Sequence, residues 1–370
     1  MPRSDKSPAF LPRVRVEVDL GALRRNVRAI RRRVGVRALF ALKKDAYGHG
    51  AIPCARVLES ERVDYFGVVT VSEGLELRKA GVRTPILVFG LPGADEAPEA
   101  IEAGLTLTIG DTQSLRAVAE AAAAQGRRVK IHLKVDTGMG RIGEPAEQQT
   151  ETLRAIAQSP SVEFEGLYSH LACSDSDRDL TLRQASRFAA LTDSLSPRPP
   201  ICHLANSAGA LLSECRFDMV RIGIGLFGAA PFYEDAEPVM TARSRLIQTR
   251  WFEPGATISY GATYSVPKRM RVGVVAAGYG DGLLRSLSNS GVVLIRGVRA
   301  PIVGRVCMDQ FMVDLSAAPQ AEAGDDALLF GRLNNCSLPA WEVAEAAGTI
   351  SNELTTLVGR LATDRRWIDE

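Results

Sequence analysis

Short apolar segments alternate with longer amphipathic segments between residues 38 and 224, and this alternation restricts the fold more than any other feature of the chain. The apolar runs have the length and composition of buried strands, and the segments between them have helical spacing. One such segment, 112–126, begins on a capping residue and stops on Gly126. The predicted strands are Ala38–Lys43, Tyr65–Val69, Ile86–Phe89, Leu105–Ile109, Val129–Val135, Phe164–Ser169, Ile201–Leu204 and Met219–Ile224.

Successive βα units require parallel strands joined by right-handed crossovers. Eight of them over roughly 200 residues favour a closed (β/α)₈ TIM-like barrel, with an open doubly wound sheet as the alternative. After about Pro238, strand-like runs separated by Gly and Pro predict a mostly β second domain. We therefore expect an α/β chain with a flexible N-terminus (1–12), a barrel (13–237) and a β-rich C-terminal domain (238–370). The opening strand, 13–19, could pair with that second domain.

Composition excludes several functional classes. The 370 residues carry a formal net charge of only +2, which argues against a large nucleic-acid footprint. The basic cluster between Arg24 and Arg33 has helical spacing, which predicts the solvated face of a surface helix. Neither a membrane-spanning run nor a signal peptide is recognisable, so a cytoplasmic protein is expected. The six cysteines are scattered along the sequence, which predicts reduced thiols. No set of histidines, cysteines or acidic residues has the spacing of metal ligands.

The first barrel strand ends on two adjacent lysines in the stretch "FALKKDAYGHG", residues 40–50. Barrel enzymes collect their chemistry at the carboxyl ends of the strands. Strand alternation would send the side chains of Lys43 and Lys44 to opposite faces, so that only one points to the barrel axis. Desolvation there would lower the pKa of the amine toward nucleophilic use. The alternative is a lysine pair exposed to solvent at a strand end.

Other strand ends carry polar groups as well, which favours a functional role for the lysine pair over simple exposure to solvent. Asn206 and Ser207 lead into an expected helix start, where free N–H groups favour phosphate. A lysine, histidines, arginines and a phosphate cradle together describe a pocket for pyridoxal 5'-phosphate (PLP). The segments are "HLKVDTGMGRIG" (132–143), "LYSHLA" (167–172), "HLANSAG" (203–209) and "VRIGIGLFG" (220–228).

With these motifs the chain resembles the alanine racemase family, which pairs a PLP-binding barrel with a β domain, from about Val14 to Glu353. Further matching motifs are "SYGATY" (259–264), "GYGDG" (278–282) and "GRVCMDQ" (304–310), in the order of the family. The family's lysine motif continues into Asp-Ala-Tyr-Gly-His-Gly, which makes Lys43 the lysine that binds PLP covalently. Lys44 replaces the usual alanine.

The resemblance implies a racemase that interconverts L-alanine and D-alanine with two bases, Lys43 on one face of the substrate and Tyr260 on the other. It implies a cofactor-binding set made of Lys43, Tyr47, His170, Asn206, Ser207, Arg221, Gly223 and Ile224. It implies that Arg141 and Met308 bind the substrate. Supporting roles fall to Lys134, which is often carbamylated in the family, and to Tyr279, Arg285, Asp309 and Asn352.

These implied roles agree with elementary chemistry. Returning a proton to the opposite face of Cα needs two opposed bases, which one lysine cannot easily supply. A phenol acts as a base near neutrality only beside positive charge, for which Arg141 is a source. Arg221 would donate to the pyridine nitrogen without releasing its own proton, which keeps that nitrogen unprotonated. Taken singly, Tyr260 could also be a half-buried strand aromatic, and His132 and His203 could be outer hydrogen-bond partners.

In the family, Tyr260 and Met308 meet the lysine of a second copy, so the resemblance implies a head-to-tail homodimer with shared sites. One departure concerns the substrate: Asn352 in "TISNE" stands where the family usually has tyrosine. A shorter amide could admit and bind a hydroxymethyl group, which leaves a serine or broad-specificity racemase open. A non-catalytic PLP-binding protein and an amino-acid decarboxylase also stay open. The sequence leaves open whether D-alanine serves peptidoglycan synthesis or L-alanine serves catabolism.

Overall fold

A computed structural model describes residues 13–362 and 364–369; the N-terminal segment 1–12 lies outside the described residues. The chain divides into two compact units. The barrel unit is Ala22–Glu237, and the β unit joins the segment that ends at Gly21 to the part that begins at Pro238. The first strand, β1 (Arg15–Asp19), belongs to the β unit by both this division and its pairing.

Eight parallel strands form the barrel unit, in the order β8-β7-β6-β5-β4-β3-β2-β9. They are β2 (Arg37–Ala41), β3 (Tyr65–Val68), β4 (Ile86–Val88), β5 (Thr106–Ile109), β6 (Val129–Lys134), β7 (Val162–Tyr168), β8 (Ile201–His203) and β9 (Met219–Ile222). Backbone bonds connect the two ends of this order, with the Asp218 N–H donating to the Cys202 carbonyl (3.0 Å) and the Arg221 N–H to the Ala205 carbonyl (2.9 Å). The predicted barrel is confirmed.

Helices follow most of these strands and cover the outside of the barrel. They are α1 (Leu20–Val34), α3 (Ala51–Ser60), α4 (Val71–Lys79), α5 (Ala97–Glu102), α6 (Thr112–Ala124), α7 (Thr150–Gln158) and α8 (Arg178–Ser194). The short element α2 (Lys43–Tyr47) follows β2 and is left-handed over most of its length. The helix predicted over 112–126 is α6, and its cap is Asp111, which accepts from the Ser114 N–H at 2.7 Å. An apolar cluster at the core includes Leu39, Leu87 and Met219. None of the described helices is long and apolar enough to cross a membrane.

The arginines of α1 lie on an exposed helix face, as the sequence predicted, and several of them are paired there. Arg28 pairs with Glu61 at 2.7 Å, and Arg25 pairs with Glu237 at 2.6 Å. Arg31 donates to the Glu61 carbonyl oxygen at 2.7 Å. Much of the positive charge of this face is therefore matched by neighbouring carboxylates and carbonyls.

The β unit is built on a nine-stranded sheet of order β18-β17-β14-β15-β16-β13-β10-β1-β19. Its further strands are β10 (Met240–Phe252), β11 (Thr257–Ile258), β12 (Tyr264–Ser265), β13 (Met270–Val275), β14 (Val292–Ile295), β15 (Val298–Val303), β16 (Phe311–Asp314), β17 (Asp326–Leu333), β18 (Cys336–Leu338) and β19 (Asp364–Ile368). Helices α9 (Ala340–Ala346) and α10 (Ser351–Leu361) lie between β18 and β19 in the sequence. β1 pairs antiparallel with β10 and parallel with β19, because its alternating burial matches the pleat of this sheet.

Two glycines of the β unit give a matched test of packing. Gly282 (φ +92°) ends the turn Tyr279–Asp281, and a Cβ there would lie 2.7 Å from backbone atoms of Leu357 and Val358 in α10. Gly255 has a similar φ of +83°, but nothing lies within 4 Å of its Cβ position.

We expect Gly255→Ala to lower the free energy of unfolding by about 1 kcal/mol, because only the positive φ is penalised. Gly282→Ala should cost about 1–3 kcal/mol more, because backbone must also move apart. Urea unfolding followed by circular dichroism measures both. Equal losses would show that α10 does not pack against this turn as described.

Candidate active site

The carboxyl ends of the barrel strands bring most of the predicted polar residues together. Pairing of β2 with β9 sets Leu39 opposite Arg221 and Phe40 opposite Ile222, so Lys43 follows one strand beside the end of the other. Lys134 ends β6, and His170 follows β7. These ends lie at one mouth of the barrel because all eight strands run in parallel.

The predicted strand through Lys43 is wrong in its last two residues. β2 ends at Ala41, and Lys44 to Tyr47 form a left-handed turn, with φ between 53° and 56° at all four positions. The two lysines therefore do not alternate across a strand. Lys44 is exposed and its Nζ lies 3.9 Å from Glu73, whereas Lys43 is half-buried with its Nζ 5.8 Å from the ring centroid of Tyr47.

Two side chains hold this left-handed geometry, one from α4 and one from the turn itself. Glu73 on α4 accepts from the Lys44 N–H at 2.8 Å, and Asp45 accepts from the Ala51 N–H at 2.7 Å. Left-handed residues other than glycine cost roughly 1–2 kcal/mol each. The surrounding contacts offset this cost, and the turn buries Tyr47 beneath Lys43.

Burial and neighbouring cations lower the pKa values of two lysines of the mouth, Lys43 and Lys134. Burial lowers the pKa of Lys43, and the positive charge of Arg141 lowers it further. Burial also lowers the pKa of Lys134 to about 7, with added repulsion from Arg221. The Nζ of Lys134 donates to the Val135 carbonyl at 2.7 Å. Both amines therefore have a larger neutral fraction near neutrality than ordinary lysines, as a base or nucleophile requires.

Arg221 is a deeply buried cation of the mouth, with 5% of its surface exposed, as little as Lys134. Its Nη1 donates to the Nδ1 atom (2.9 Å) and the carbonyl (3.0 Å) of His203. Its Nη2 donates to the carbonyls of Ser169 (2.6 Å) and Leu204 (2.8 Å) and to Nδ1 of His170 (3.0 Å). Burial lowers its pKa to about 10, so it stays charged at neutral pH.

A group of donors beside Arg221 fits a phosphate. The Ser207 hydroxyl accepts from the N–H groups of Gly223 (2.9 Å) and Gly225 (3.4 Å), which leaves its own O–H to donate elsewhere. A Cβ at Gly223 would lie 2.3 Å from the phenol oxygen of Tyr47, so only glycine permits this close approach. Burial raises the pKa of Tyr47, which keeps the phenol a donor. Ile224 begins the turn Ile224–Phe227.

These residues fit PLP on the chemistry of their donors. Within the described residues the Nε of Arg221 makes no hydrogen bond, so it has a donor left for a ring nitrogen. Ser207, Tyr47 and the backbone near Gly223 offer donors for a phosphate, and Lys43 offers an amine. No group of His, Cys, Asp and Glu suited to a metal ion occurs among the described residues.

Asn206 corrects one expectation about this cradle. Only a three-residue 3₁₀ turn, Gly209–Leu211, follows it, so no α-helix start faces the cradle. The Oδ1 atom of Asn206 instead accepts from the Gly209 N–H (2.9 Å) and from the Ser174 hydroxyl (2.7 Å). This side chain holds the loop after β8 rather than presenting a helix dipole.

The loop that carries Arg141 follows β6 and is held by Asp136. The Asp136 carboxylate accepts from the N–H groups of Gly138 (2.8 Å), Met139 (2.7 Å) and Gly140 (2.7 Å). Arg141 itself is exposed at the end of this turn. A sequence scan for charged residues finds Arg141, but only the structure shows the carboxylate that shapes its loop.

In the β unit, three loops bring Tyr260, Tyr279 and Met308 together. The Ser259 hydroxyl donates to the Arg305 carbonyl at 2.7 Å, and the N–H of Tyr279 donates to the Cys307 carbonyl at 3.0 Å. Tyr260 lies in a turn between β11 and β12 and is 71% exposed, so the alternative of a half-buried strand aromatic is wrong. Met308 is 54% exposed and Tyr279 is 40% exposed.

Three supporting residues lie elsewhere in the β unit. Arg285 is exposed in the turn Arg285–Leu287, and the backbone oxygen of Asp309 accepts from Arg13. Asn352 is half-buried in the first turn of α10. The predicted role of Asn352 in the choice of substrate stays a prediction.

Sequence reasoning missed the carboxylate that ends a buried polar chain in the barrel. Glu165 lies in β7 and is almost fully buried, where it accepts from His132 (3.2 Å), Lys130 (2.5 Å) and Tyr65 (2.5 Å). The expectation that His132 and His203 are outer hydrogen-bond partners agrees with their positions, since His203 lies between Arg221 and His132. The available signal was a carboxylate inside a strand, but Glu163 in the same strand gives the same signal.

Comparison with known proteins agrees with this arrangement. The sequence matches the family "Alanine racemase, N-terminal domain" over residues 18–231 and "Alanine racemase, C-terminal domain" over residues 239–366. The alanine racemase of Desulfovibrio desulfuricans is 40% identical over 93% of this chain and 95% of its own, and that of Cutibacterium acnes is 39% identical over 95% and 97%. The crystal structure of alanine racemase from Streptomyces lavendulae superposes with a TM-score of 0.90, at 35% identity and 98% coverage of both chains. The chain therefore belongs to the alanine racemase family.

Proposed function

We propose that this protein interconverts L-alanine and D-alanine, with PLP bound at the mouth of the barrel unit. The observation that carries the proposal is the parallel pairing of β2 with β9, which brings the half-buried Lys43 to the strand end that carries Arg221 and the Gly223 cradle. The relatives bear the name alanine racemase, which supports alanine as the substrate. Cytoplasmic location and use of D-alanine as a peptidoglycan precursor are further parts of the proposal and rest on family membership alone.

Bound PLP supplies an aldehyde that joins an amine covalently and a ring that withdraws electrons from the substrate Cα. Ser207, Tyr47 and the backbone of Gly223 and Ile224 hold the phosphate, with Asn206 supporting the loop. Arg221 donates to the ring nitrogen and keeps its proton, because a guanidinium does not release one near neutrality. His170 positions Arg221 by accepting one of its N–H groups.

Two bases then move the Cα proton. Lys43 serves one face, and its lowered pKa supports this role because a base must be neutral to accept a proton. The phenol of Tyr260 serves the other face. Arg141 binds the substrate carboxylate or the phenol oxygen of the cofactor, and Met308 binds the carboxylate through its backbone. Tyr279 and Arg285 line the substrate entrance, and Asp309 orients an arginine.

The exposure of Tyr260, Met308 and Tyr279 supports a homodimer in which these residues complete the site of a second copy. A large side chain that is 71% exposed has ample surface for contact with another molecule. A twofold axis would repeat the contact, so that two shared sites form for each dimer.

Lys134 is proposed to carry a carbamate. Its pKa of about 7 leaves a large neutral fraction at neutrality, and a neutral amine attacks CO₂ to form an N–C bond while releasing one proton. The product is an anion, which would replace the repulsion between Lys134 and Arg141 by attraction.

Lys43→Gln should lower racemisation by roughly 100-fold to 10,000-fold or more, because one base is removed. Lys44→Gln is the matched control and should stay within about threefold of the wild type, because Lys44 is exposed and only weakly paired with Glu73. Formation of D-alanine from L-alanine measures activity, and absorbance after dialysis measures retained cofactor. Equal activity of the two variants would overturn the assignment of Lys43.

Mixing Lys43→Gln subunits with Tyr260→Phe subunits tests the shared site. Each variant alone should be nearly inactive, whereas an equimolar mixture after subunit exchange should regain roughly a quarter of the wild-type activity, since half the dimers hold one intact site. The control changes Tyr264, the second tyrosine of the same motif. Lys43→Gln subunits are mixed with Tyr264→Phe subunits in the same way. If the first mixture stays inactive while exchange is verified by mass, Tyr260 does not act across subunits.

Carbamylation predicts a ¹³C signal in the carbamate region when protein is equilibrated with ¹³C-bicarbonate. The signal should be strong at about pH 8 and fade as the pH falls below 7, because protonation of Lys134 removes the reacting amine. Lys134→Gln should abolish it, and Lys130→Gln should not. A signal that persists in Lys134→Gln would assign the carbamate to another amine.

A further inference from the structure

A chain of hydrogen bonds runs from Arg221 through two buried histidines to Glu165. Arg221 Nη1 lies 2.9 Å from His203 Nδ1, and His203 Nε2 lies 2.8 Å from His132 Nδ1. His132 Nε2 lies 3.2 Å from a carboxylate oxygen of Glu165. Both histidines are fully buried, so this chain does not exchange partners with solvent.

The guanidinium determines where every proton of this chain lies. Arg221 can only donate, so Nδ1 of His203 must accept and its proton must lie on Nε2. That proton is donated to Nδ1 of His132, which leaves the proton of His132 on Nε2, facing Glu165. Burial lowers the pKa of His132 and, further, of His203, so both rings are neutral and the order has no alternative. The same argument places the proton of His170 on Nε2, because its Nδ1 accepts from Arg221.

Glu165 ends the chain as a charged acceptor. Besides His132 it accepts from the Tyr65 phenol at 2.5 Å and from Lys130 at 2.5 Å, and these three donors lower its pKa to about 2 although burial opposes them. Lys130 is half exposed, so the carboxylate joins the buried chain to the barrel surface. A carboxylate at the far end polarises each imidazole in turn and makes His203 a stronger acceptor for Arg221.

Arg221 needs such an acceptor because cations surround it. Lys43, Lys134 and Arg141 all repel it or are repelled by it. Its other partners are neutral carbonyls and His170, so Glu165 is the carboxylate that its hydrogen-bond chain reaches. We propose that Glu165 is a positioning residue of the racemase, which holds the guanidinium of Arg221 in place through His203 and His132. The functional part of this inference depends on the proposed function, whereas the proton order does not.

The chain contains only four histidines, which makes the proton order directly measurable. Long-range ¹H–¹⁵N correlation spectra of the ¹⁵N-histidine-labelled protein should show the Nε2–H form for His132, His170 and His203. His49 is an internal control, because its Nδ1 lies 2.9 Å from the Ala46 carbonyl and must donate there. An Nδ1–H form or a charged ring at His132 or His203 would overturn the proton order.

The variant Glu165→Gln keeps an acceptor oxygen for His132 but removes the charge. We expect the histidines to keep their Nε2–H forms, while kcat falls about tenfold at nearly constant KM, by analogy with the lower end of the loss when a metal-ligating histidine is deprived of its outer hydrogen-bond partner. Glu59→Gln is the matched control, since Glu59 also accepts three hydrogen bonds in the barrel unit, from Arg83 and Thr84, without reaching Arg221.

A purely structural role would give a different result. Glu165→Gln would then lower the melting temperature as Glu59→Gln does and leave kcat within twofold of the control, which would overturn the positioning role. Inactivity of the wild-type protein with every amino acid tested would instead overturn the proposed function, and the histidine spectra would still report the proton order. The two failures are therefore distinguishable.

Discussion

Burial of the Arg221 guanidinium is the constraint on which the site depends. A guanidinium has five N–H donors and no acceptor, and each donor buried without a partner is costly. The partners come from the ends of β7 and β8, where Ser169, His203 and Leu204 supply carbonyls and two histidines supply ring nitrogens. Satisfying one side chain of β9 thus fixes the loops of two neighbouring strands. The mouth keeps its shape because a displaced loop would leave a buried charge without acceptors.

The left-handed turn after β2 is the second constraint, and it explains the composition of "KKDAYGHG". Four consecutive non-glycine residues with φ above 50° are rarely stable without outside support. Here Glu73 and Asp45 accept backbone N–H groups, and Gly48 and Gly50, both with positive φ, return the chain to α3. The turn directs Lys43 toward Arg221 and Lys44 toward solvent. The unfavourable backbone conformation therefore places the two lysine side chains in different surroundings.

Much of this architecture could be predicted from the sequence, and the failures have physical reasons. All eight barrel strands were predicted, because buried parallel strands are nearly continuous apolar runs. The end of β2 was misplaced, since no local pattern distinguishes a left-handed turn of Lys44, Asp45 and Ala46 from a strand end. The role of Glu165 was missed because it depends on hydrogen bonds from His132 and Tyr65, which are distant in sequence.

The direction of the barrel strands accounts for why the proposed mechanism takes its second base from outside the barrel unit. Parallel strands carry their end groups to one mouth of the barrel, and Lys43, Arg221 and the Gly223 cradle all lie there. Racemisation needs a proton acceptor on the opposite face as well. In the proposed mechanism Tyr260 would meet this need, because it lies on an exposed turn of the β unit. In the proposed dimer its exposed phenol would enter the site of the second copy, so that the exposure of Tyr260 would serve to complete that site.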